Sequence, residues 1–94
     1  MDIVWLARAQ RELIHIHDCV AADNPQAAVQ VVHRIHGAVV RLADTPAIGR
    51  PGRLPGTREL VVTGTPFIVP YRVREDVIEI LSVIHGARKW PENL

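Results

Sequence analysis

The side chains of this chain that could take part in acid–base or phosphate chemistry are its histidines and arginines. Ten of its eleven cationic residues are arginine, whose planar guanidinium group makes paired contacts to phosphate and carboxylate groups. His85 is followed closely by Arg88 and Lys89. Because histidine titrates near neutral pH, His85 with these two cations could act as a general acid or base on a phosphodiester. A strand-end histidine that bonds a carbonyl group explains His85 equally well.

Arginine is concentrated in one stretch of the chain. Residues 50–74 contain five arginines and one acid, Glu59, although the formal net charge of the whole chain is only +1. These five are candidates for binding a target protein or nucleic acid: Arg50, Arg53, Arg58, Arg72 and Arg74. A solvated polar surface is the alternative. Arg50 and Arg58 could instead brace the neighbouring loop by hydrogen bonds to carbonyl groups.

Other reactive side chains do not form a site by their spacing. His33 and His36 are three positions apart, but no third ligand lies at helical spacing from them, and a zinc site needs three or four. Cys19 is the single cysteine, which excludes an internal disulfide and a paired-cysteine metal site. Ser82 has no identifiable base near it. The sequence therefore predicts no metal ion and no cofactor.

Two amphipathic helices are predicted in the first half of the chain. Apolar residues recur every three or four positions between Leu6 and Val20 and again between Ala28 and Leu42, which predicts helices over roughly residues 7–21 and from Pro25 to near Asp44. The polar residues of the first helix should face solvent: Arg8, Arg11, Glu12, His15 and Asp18. A short connection makes the two helices an antiparallel hairpin.

Strands are predicted at the start of the chain and in its last third. A proline- and glycine-rich loop over residues 45–57 leads into them. The predicted strands cover residues 2–6, 58–62, 67–74 and 77–85, with turns at 63–66 and 75–76. Alternation in the third of these strands places Phe67, Val69, Tyr71 and Val73 on one face and Arg72 and Arg74 on the other. Pro70 has no N–H group to donate and predicts a bulge or an edge there.

These elements define an α+β fold of the order β-α-α-β-β-β. An N-terminal strand and an antiparallel two-helix hairpin pack on one face of a small, mostly antiparallel sheet whose other face carries arginine. The length of 94 residues predicts a single domain over residues 1–94. No apolar run approaches the roughly 20 residues that span a bilayer, and the first residues do not resemble a signal peptide, so we expect a cytoplasmic protein with no membrane partner.

Several short motifs in this order resemble the RelE/ParE superfamily of bacterial toxins. They are Pro46-Ala47-Ile48-Gly49-Arg50, Thr57-Arg58-Glu59-Leu60, Tyr71-Arg72-Val73 and the ending Val83-Ile84-His85-Gly86-Ala87-Arg88 with Trp90-Pro91. The resemblance covers nearly the whole chain. It implies the toxin of a type II toxin–antitoxin module, encoded beside an antitoxin that wraps around it and neutralises it in a hetero-oligomer.

The superfamily divides by target, and the resemblance favours the ParE-like branch. RelE-like members cut mRNA on the ribosome with arginine or lysine and a C-terminal tyrosine or histidine, whereas ParE-like members inhibit DNA gyrase. Here the only tyrosine is Tyr71, and Phe67 or Ile68 stands where nucleases keep an arginine. The alternative is a ribosome-dependent mRNA endoribonuclease with His85, Arg88 and Lys89 as catalytic residues. A third interpretation is an inactive member of the family, retained as a DNA-binding or regulatory partner of its antitoxin.

Overall fold

The computed structural model describes residues 1–86 and Trp90. Its strands are β1 (Asp2–Trp5), β2 (Arg50–Pro51), β3 (Thr57–Val61), β4 (Phe67–Arg74), β5 (Val77–Ile80) and β6 (Ile84–His85). Its helices are α1 (Ala7–Ala21) and α2 (Pro25–Val40), the second followed by a 3₁₀ turn (Arg41–Ala43). No helix among these residues is long and apolar enough to cross a membrane.

Helix α2 begins where the sequence predicts. Asn24 is its N-cap, and the Asn24 side-chain oxygen accepts a hydrogen bond of 3.1 Å from the backbone N–H of Ala27. Pro25 occupies the first helical position, where its missing N–H costs nothing. The 3₁₀ turn tightens the last part of the predicted helix, so helical structure ends just before Asp44.

The sheet is mixed. Its strand order is β1-β5-β4-β3-β2, and β6 pairs with β4 beside β5. β1 runs parallel to β5, whereas the other pairs are antiparallel. The α+β prediction is therefore confirmed. The sequence analysis missed β2, a two-residue edge strand inside the predicted loop.

The predicted strand over residues 77–85 is wrong as one continuous strand, because residues 81–83 interrupt it. These three residues lie opposite only two residues of β4, Val69 and Pro70, so the chain bulges there. The carbonyl oxygen of Pro70 accepts a hydrogen bond of 2.9 Å from Leu81 N–H. Since the N and C=O of a strand residue face the same neighbour, the N–H that Pro70 lacks also faces the bulge. The sequence predicted a bulge or an edge at Pro70, and the structure has a bulge in the segment that lies opposite Pro70.

The main core lies between the helices and one face of the sheet. It contains buried residues from both layers: Ala9, Ile16, Ile35, Val39, Leu42, Leu60, Val62, Val69, Tyr71, Ile78, Ile80 and Val83. A second apolar cluster covers part of the opposite face and consists of Ile68, Ile84 and Trp90. The face that was expected to carry arginine is therefore partly apolar, because Trp90 folds over it.

Candidate functional site

His85 lies at the end of β6, where β6 and α1 form the two sides of a groove of about 590 Å³. We call it the His85 groove. Its α1 side carries Arg8, Arg11, Glu12, His15, Ile16, Cys19 and Val20, and its sheet side carries Phe67, Val83, Ile84 and His85. An apolar floor with histidine and arginine at its sides can accept an anionic group next to an apolar one.

The position of the His85 ring is set by the sheet. His85 pairs with Phe67 across the strands, and the two rings meet edge to face with centroids 5.9 Å apart. The next N–H, that of Gly86, donates a hydrogen bond of 2.7 Å to Pro66 O and closes the strand. The imidazole is exposed. The other two predicted catalytic residues, Arg88 and Lys89, lie outside the described residues.

Three residues of α1 were not recognised as part of this groove from the sequence. Arg8, Arg11 and His15 were expected to face solvent only, yet all three line the groove. They are separated by three and then four positions, which places them on one helix face. The same spacing rule that identified the apolar stripe could have grouped them.

Glu12 was predicted to face solvent, and that prediction is wrong. Glu12 Oε1 accepts a hydrogen bond of 2.5 Å from Ser82 Oγ and one of 3.3 Å from Val83 N–H. Ser82 is fully buried, and its hydroxyl donates to this carboxylate of α1. Glu12 thereby holds the bulge before β6 and helps to place His85.

Arg58 braces the loop before β3, which is one of the two roles left open from the sequence. Arg58 Nη1 donates hydrogen bonds to Gly49 O at 2.8 Å and Ala47 O at 3.3 Å. The buried Tyr71 hydroxyl acts on the same loop: it donates to Pro46 O at 2.7 Å and accepts from Gly49 N–H at 2.9 Å. The only tyrosine is therefore part of the scaffold.

Two further candidate arginines are paired with carboxylates. Arg50 Nε lies 2.8 Å from Glu59 Oε1, and Arg72 Nε lies 2.6 Å from Glu79 Oε1. The second Glu59 oxygen accepts a hydrogen bond from the indole N–H of Trp90. The expected basic face is thus largely neutralised where Arg50 and Arg72 lie.

Arg53 and Arg74 are the remaining members of the predicted set. Both side chains are exposed, and neither is paired with an acid in the part of the chain that the structure describes. They are the two predicted arginines that the structure leaves available to a partner. Across residues 1–86 and Trp90, no three His, Cys, Asp or Glu side chains converge into a metal-binding group.

Comparison with known proteins agrees with this architecture. The family model described as "ParE toxin of type II toxin-antitoxin system, parDE" matches residues 3–90. A Sinorhizobium fredii protein named as a toxin, Y4kP, is 50% identical over 98% of this chain and 95% of its own length. "Toxin RelE2" of Caulobacter vibrioides is 34% identical over 93% of this chain and 97% of its own.

One solved structure is similar to this chain in both fold and sequence. A chain described as "Chromosomal ParDE TA system from P. aeruginosa" superimposes with a TM-score of 0.81 at 32% identity, covering 90% of this chain and 95% of that one. The resemblance to the RelE/ParE superfamily is confirmed. With its mixed sheet, its helical hairpin and a family match that spans almost its full length, this chain belongs to the ParE toxin family of type II toxin–antitoxin systems.

Proposed function

We propose that this toxin arrests bacterial growth by inhibiting DNA gyrase without cleaving nucleic acid, and that an antitoxin encoded beside it neutralises it. The observation that carries the proposal is that the polar side chains of the sheet form hydrogen bonds and ion pairs within the protein itself. Arg50, Arg58 and Arg72 each bond a group of the protein itself, and Tyr71 is buried with both hydrogen-bonding functions of its hydroxyl used.

These internal bonds matter because RNA cleavage through a 2′-hydroxyl needs side chains that are available to the RNA. It needs a proton-transfer pair and cations that stabilise the charge developing on the phosphorane. A buried tyrosine and arginines held by carboxylates or carbonyl groups do not supply these. Inhibition by binding needs only a complementary surface, to which the exposed Arg53 and Arg74 contribute.

The antitoxin part of the proposal is supported by the neighbour in P. aeruginosa, whose description names a ParDE toxin–antitoxin system. A small toxin with exposed cationic side chains suits an acidic segment that folds on binding. The module would then exist as a toxin–antitoxin hetero-oligomer.

A ribosome-dependent mRNA endoribonuclease is the second candidate, and one observation favours it. The His85 groove brings His85 close to Arg8, Arg11 and His15. These groups match the acid–base and phosphate-binding needs of that reaction, to which Arg88 and Lys89 would add.

Controlled expression of the chain in a bacterium separates the two candidates. Gyrase inhibition predicts growth arrest with no new transcript 5′ ends within minutes, together with inhibition of purified gyrase in a supercoiling assay. New 5′ ends phased to codons, with unaffected supercoiling, would establish the nuclease and reject the proposal. Co-expression of the neighbouring antitoxin should restore growth in either case.

A further inference from the structure

A short hairpin loop projects from the sheet between β2 and β3. Its four residues are Arg53, Leu54, Pro55 and Gly56, and all four are exposed. We call this loop the β2–β3 tip. It lies outside the His85 groove, and the gyrase proposal assigns no role to Leu54, Pro55 or Gly56.

The backbone of the tip is a type II β-turn. Thr57 N–H donates a hydrogen bond of 3.1 Å to Leu54 O, which is the bond between the fourth and first residues of such a turn. Pro55 occupies the second position, where its fixed φ fits the turn. Gly56 occupies the third position, and its φ of 78° is the positive value that the turn requires there. The sequence Leu-Pro-Gly-Thr therefore specifies this conformation locally.

Further bonds and contacts fix the base of the tip. Gly52 N–H donates to Thr57 O at 2.9 Å, and Thr57 Oγ1 donates a second bond to Leu54 O at 2.6 Å. A Cβ added to Gly52 would lie 2.8 Å from the ring of Trp90, so this glycine lets the chain lie directly against the indole, which is itself buried. The turn is thus formed before any partner binds, and its binding loses little conformational entropy.

The tip presents a cation beside apolar surface. Leu54 is 42% exposed, and Pro51 and Pro55 near it are exposed as well. Arg53 is exposed too, and among residues 1–86 and Trp90 no acid pairs with it. A single exposed leucine is common on protein surfaces, but this one is held in a preformed turn next to an arginine. Such a convex pair fits a concave apolar pocket with carboxylates at its rim.

We propose that the β2–β3 tip is the part of this toxin that inserts into its target protein. Leu54 would enter an apolar pocket of the target, and Arg53 would pair with carboxylates at the rim of that pocket. The inference rests on the proposed function in one respect: the target protein is taken to be gyrase. The preformed turn supplies affinity because little order is lost on binding, and the arginine supplies selectivity.

Leu54→Glu tests the apolar contact. It brings a carboxylate to a pocket that is apolar inside and acidic at its rim, whereas the two hydrogen bonds to Leu54 O involve only the backbone and are kept. Val29→Glu is the matched control, because Val29 lies on α2 and is similarly exposed, at 49%. Both variants add the same charge, so a difference between them reports the position of the charge.

Gly56 tests whether the preformed turn matters. A Cβ added to Gly56 would meet nothing within 4 Å, so only its positive φ restricts substitution. Gly56→Val disfavours the turn, because a β-branched residue rarely adopts a positive φ. Gly56→Asn is the control, since asparagine is accepted at the third position of a type II turn.

Binding of each purified variant to purified gyrase is measured by biolayer interferometry, and circular dichroism checks the fold. We expect the Kd to rise at least about tenfold for Leu54→Glu and about fivefold for Gly56→Val. Val29→Glu and Gly56→Asn should bind within about twofold of the parent chain. Parental affinity of folded Leu54→Glu would overturn the proposal, and so would equal weakening by Val29→Glu.

Failure of the gyrase proposal and failure of the tip proposal give different results. If the parent chain neither binds nor inhibits gyrase, the gyrase proposal fails, and growth arrest after induction then judges the tip. Loss of arrest by folded Leu54→Glu, with arrest kept by Val29→Glu, would still assign the target contact to the tip. Arrest by Leu54→Glu as strong as that by the parent chain would overturn the assignment.

Discussion

Glu12 and Ser82 are 70 positions apart in the chain, and a hydrogen bond of 2.5 Å joins their side chains. Through it α1 holds the bulge between β5 and β6. Glu12→Ala leaves the buried Ser82 hydroxyl and the Val83 N–H without this acceptor, so we expect a loss of about 1–3 kcal/mol in the free energy of unfolding. Urea denaturation measures it.

The control for Glu12 is Asp18→Ala on the same helix, because the Asp18 side chain is largely exposed. It should change the free energy of unfolding by no more than about 0.5 kcal/mol. Glu12→Gln keeps an acceptor oxygen and should fall between the two. If all three variants were equally stable, the bulge would not depend on the hydrogen bonds to Glu12.

Substitutions at Arg58 and Arg53 should distinguish an arginine that stabilises the fold from one that contacts a partner. Arg58→Ala removes the donor that serves Gly49 O and Ala47 O, so we expect a stability loss of about 1–3 kcal/mol. Arg53→Ala should leave stability within about 0.5 kcal/mol and weaken gyrase inhibition instead. Denaturation and supercoiling assays on both variants check this, and the reverse pattern would contradict the assignment.

The turn between β4 and β5 stores backbone strain that substitution can release. Glu75 and Asp76 have φ of 51° and 65°, a left-handed conformation that costs most residues roughly 1–2 kcal/mol. Two positive φ values between paired strands are typical of a type I′ turn, which Asn-Gly suits best. Replacing the pair with Asn-Gly should raise the free energy of unfolding by about 1 kcal/mol. Glu75→Val, which is β-branched, should lower it.

His85→Ala distinguishes binding from catalysis. Under gyrase inhibition the variant should arrest growth nearly as well as the parent chain, because no proton transfer is involved. Loss of the ring contact with Phe67 should cost only about 0.5–1.5 kcal/mol. Colony counts after induction measure the arrest, and circular dichroism checks the fold. A folded variant that no longer arrests growth would favour the endoribonuclease.

Local signals in the sequence predicted the helices and most strands. Apolar spacing gave the bounds of α1, and Asn24-Pro25 marked the start of α2, because both depend on residues close together in the chain. The break at residues 81–83 could not be found in this way. It depends on Pro70 in a neighbouring strand and on Glu12 in α1, and no periodicity within 77–85 reports either residue.

The sequence showed which residue types form the candidate site, but it did not show which arginines would be paired with carboxylates. The arginine-rich stretch was visible, yet the pairing of Arg72 with Glu79 follows from strand register. The same holds for Arg50 and Glu59, which become neighbours only because a short edge strand forms inside a predicted loop. The helix side of the His85 groove could have been found from the spacing of Arg8, Arg11 and His15.

The parallel pairing of β1 with β5 has a consequence for the order of synthesis. β1 is made first but has no other strand neighbour in the described sheet, so it must wait until residues 77–80 have left the ribosome. The contact spans most of the chain, which makes its closure slow relative to the local helical hairpin. A nascent toxin truncated before β5 therefore lacks a complete sheet, because β1 then has no strand beside it in the described sheet.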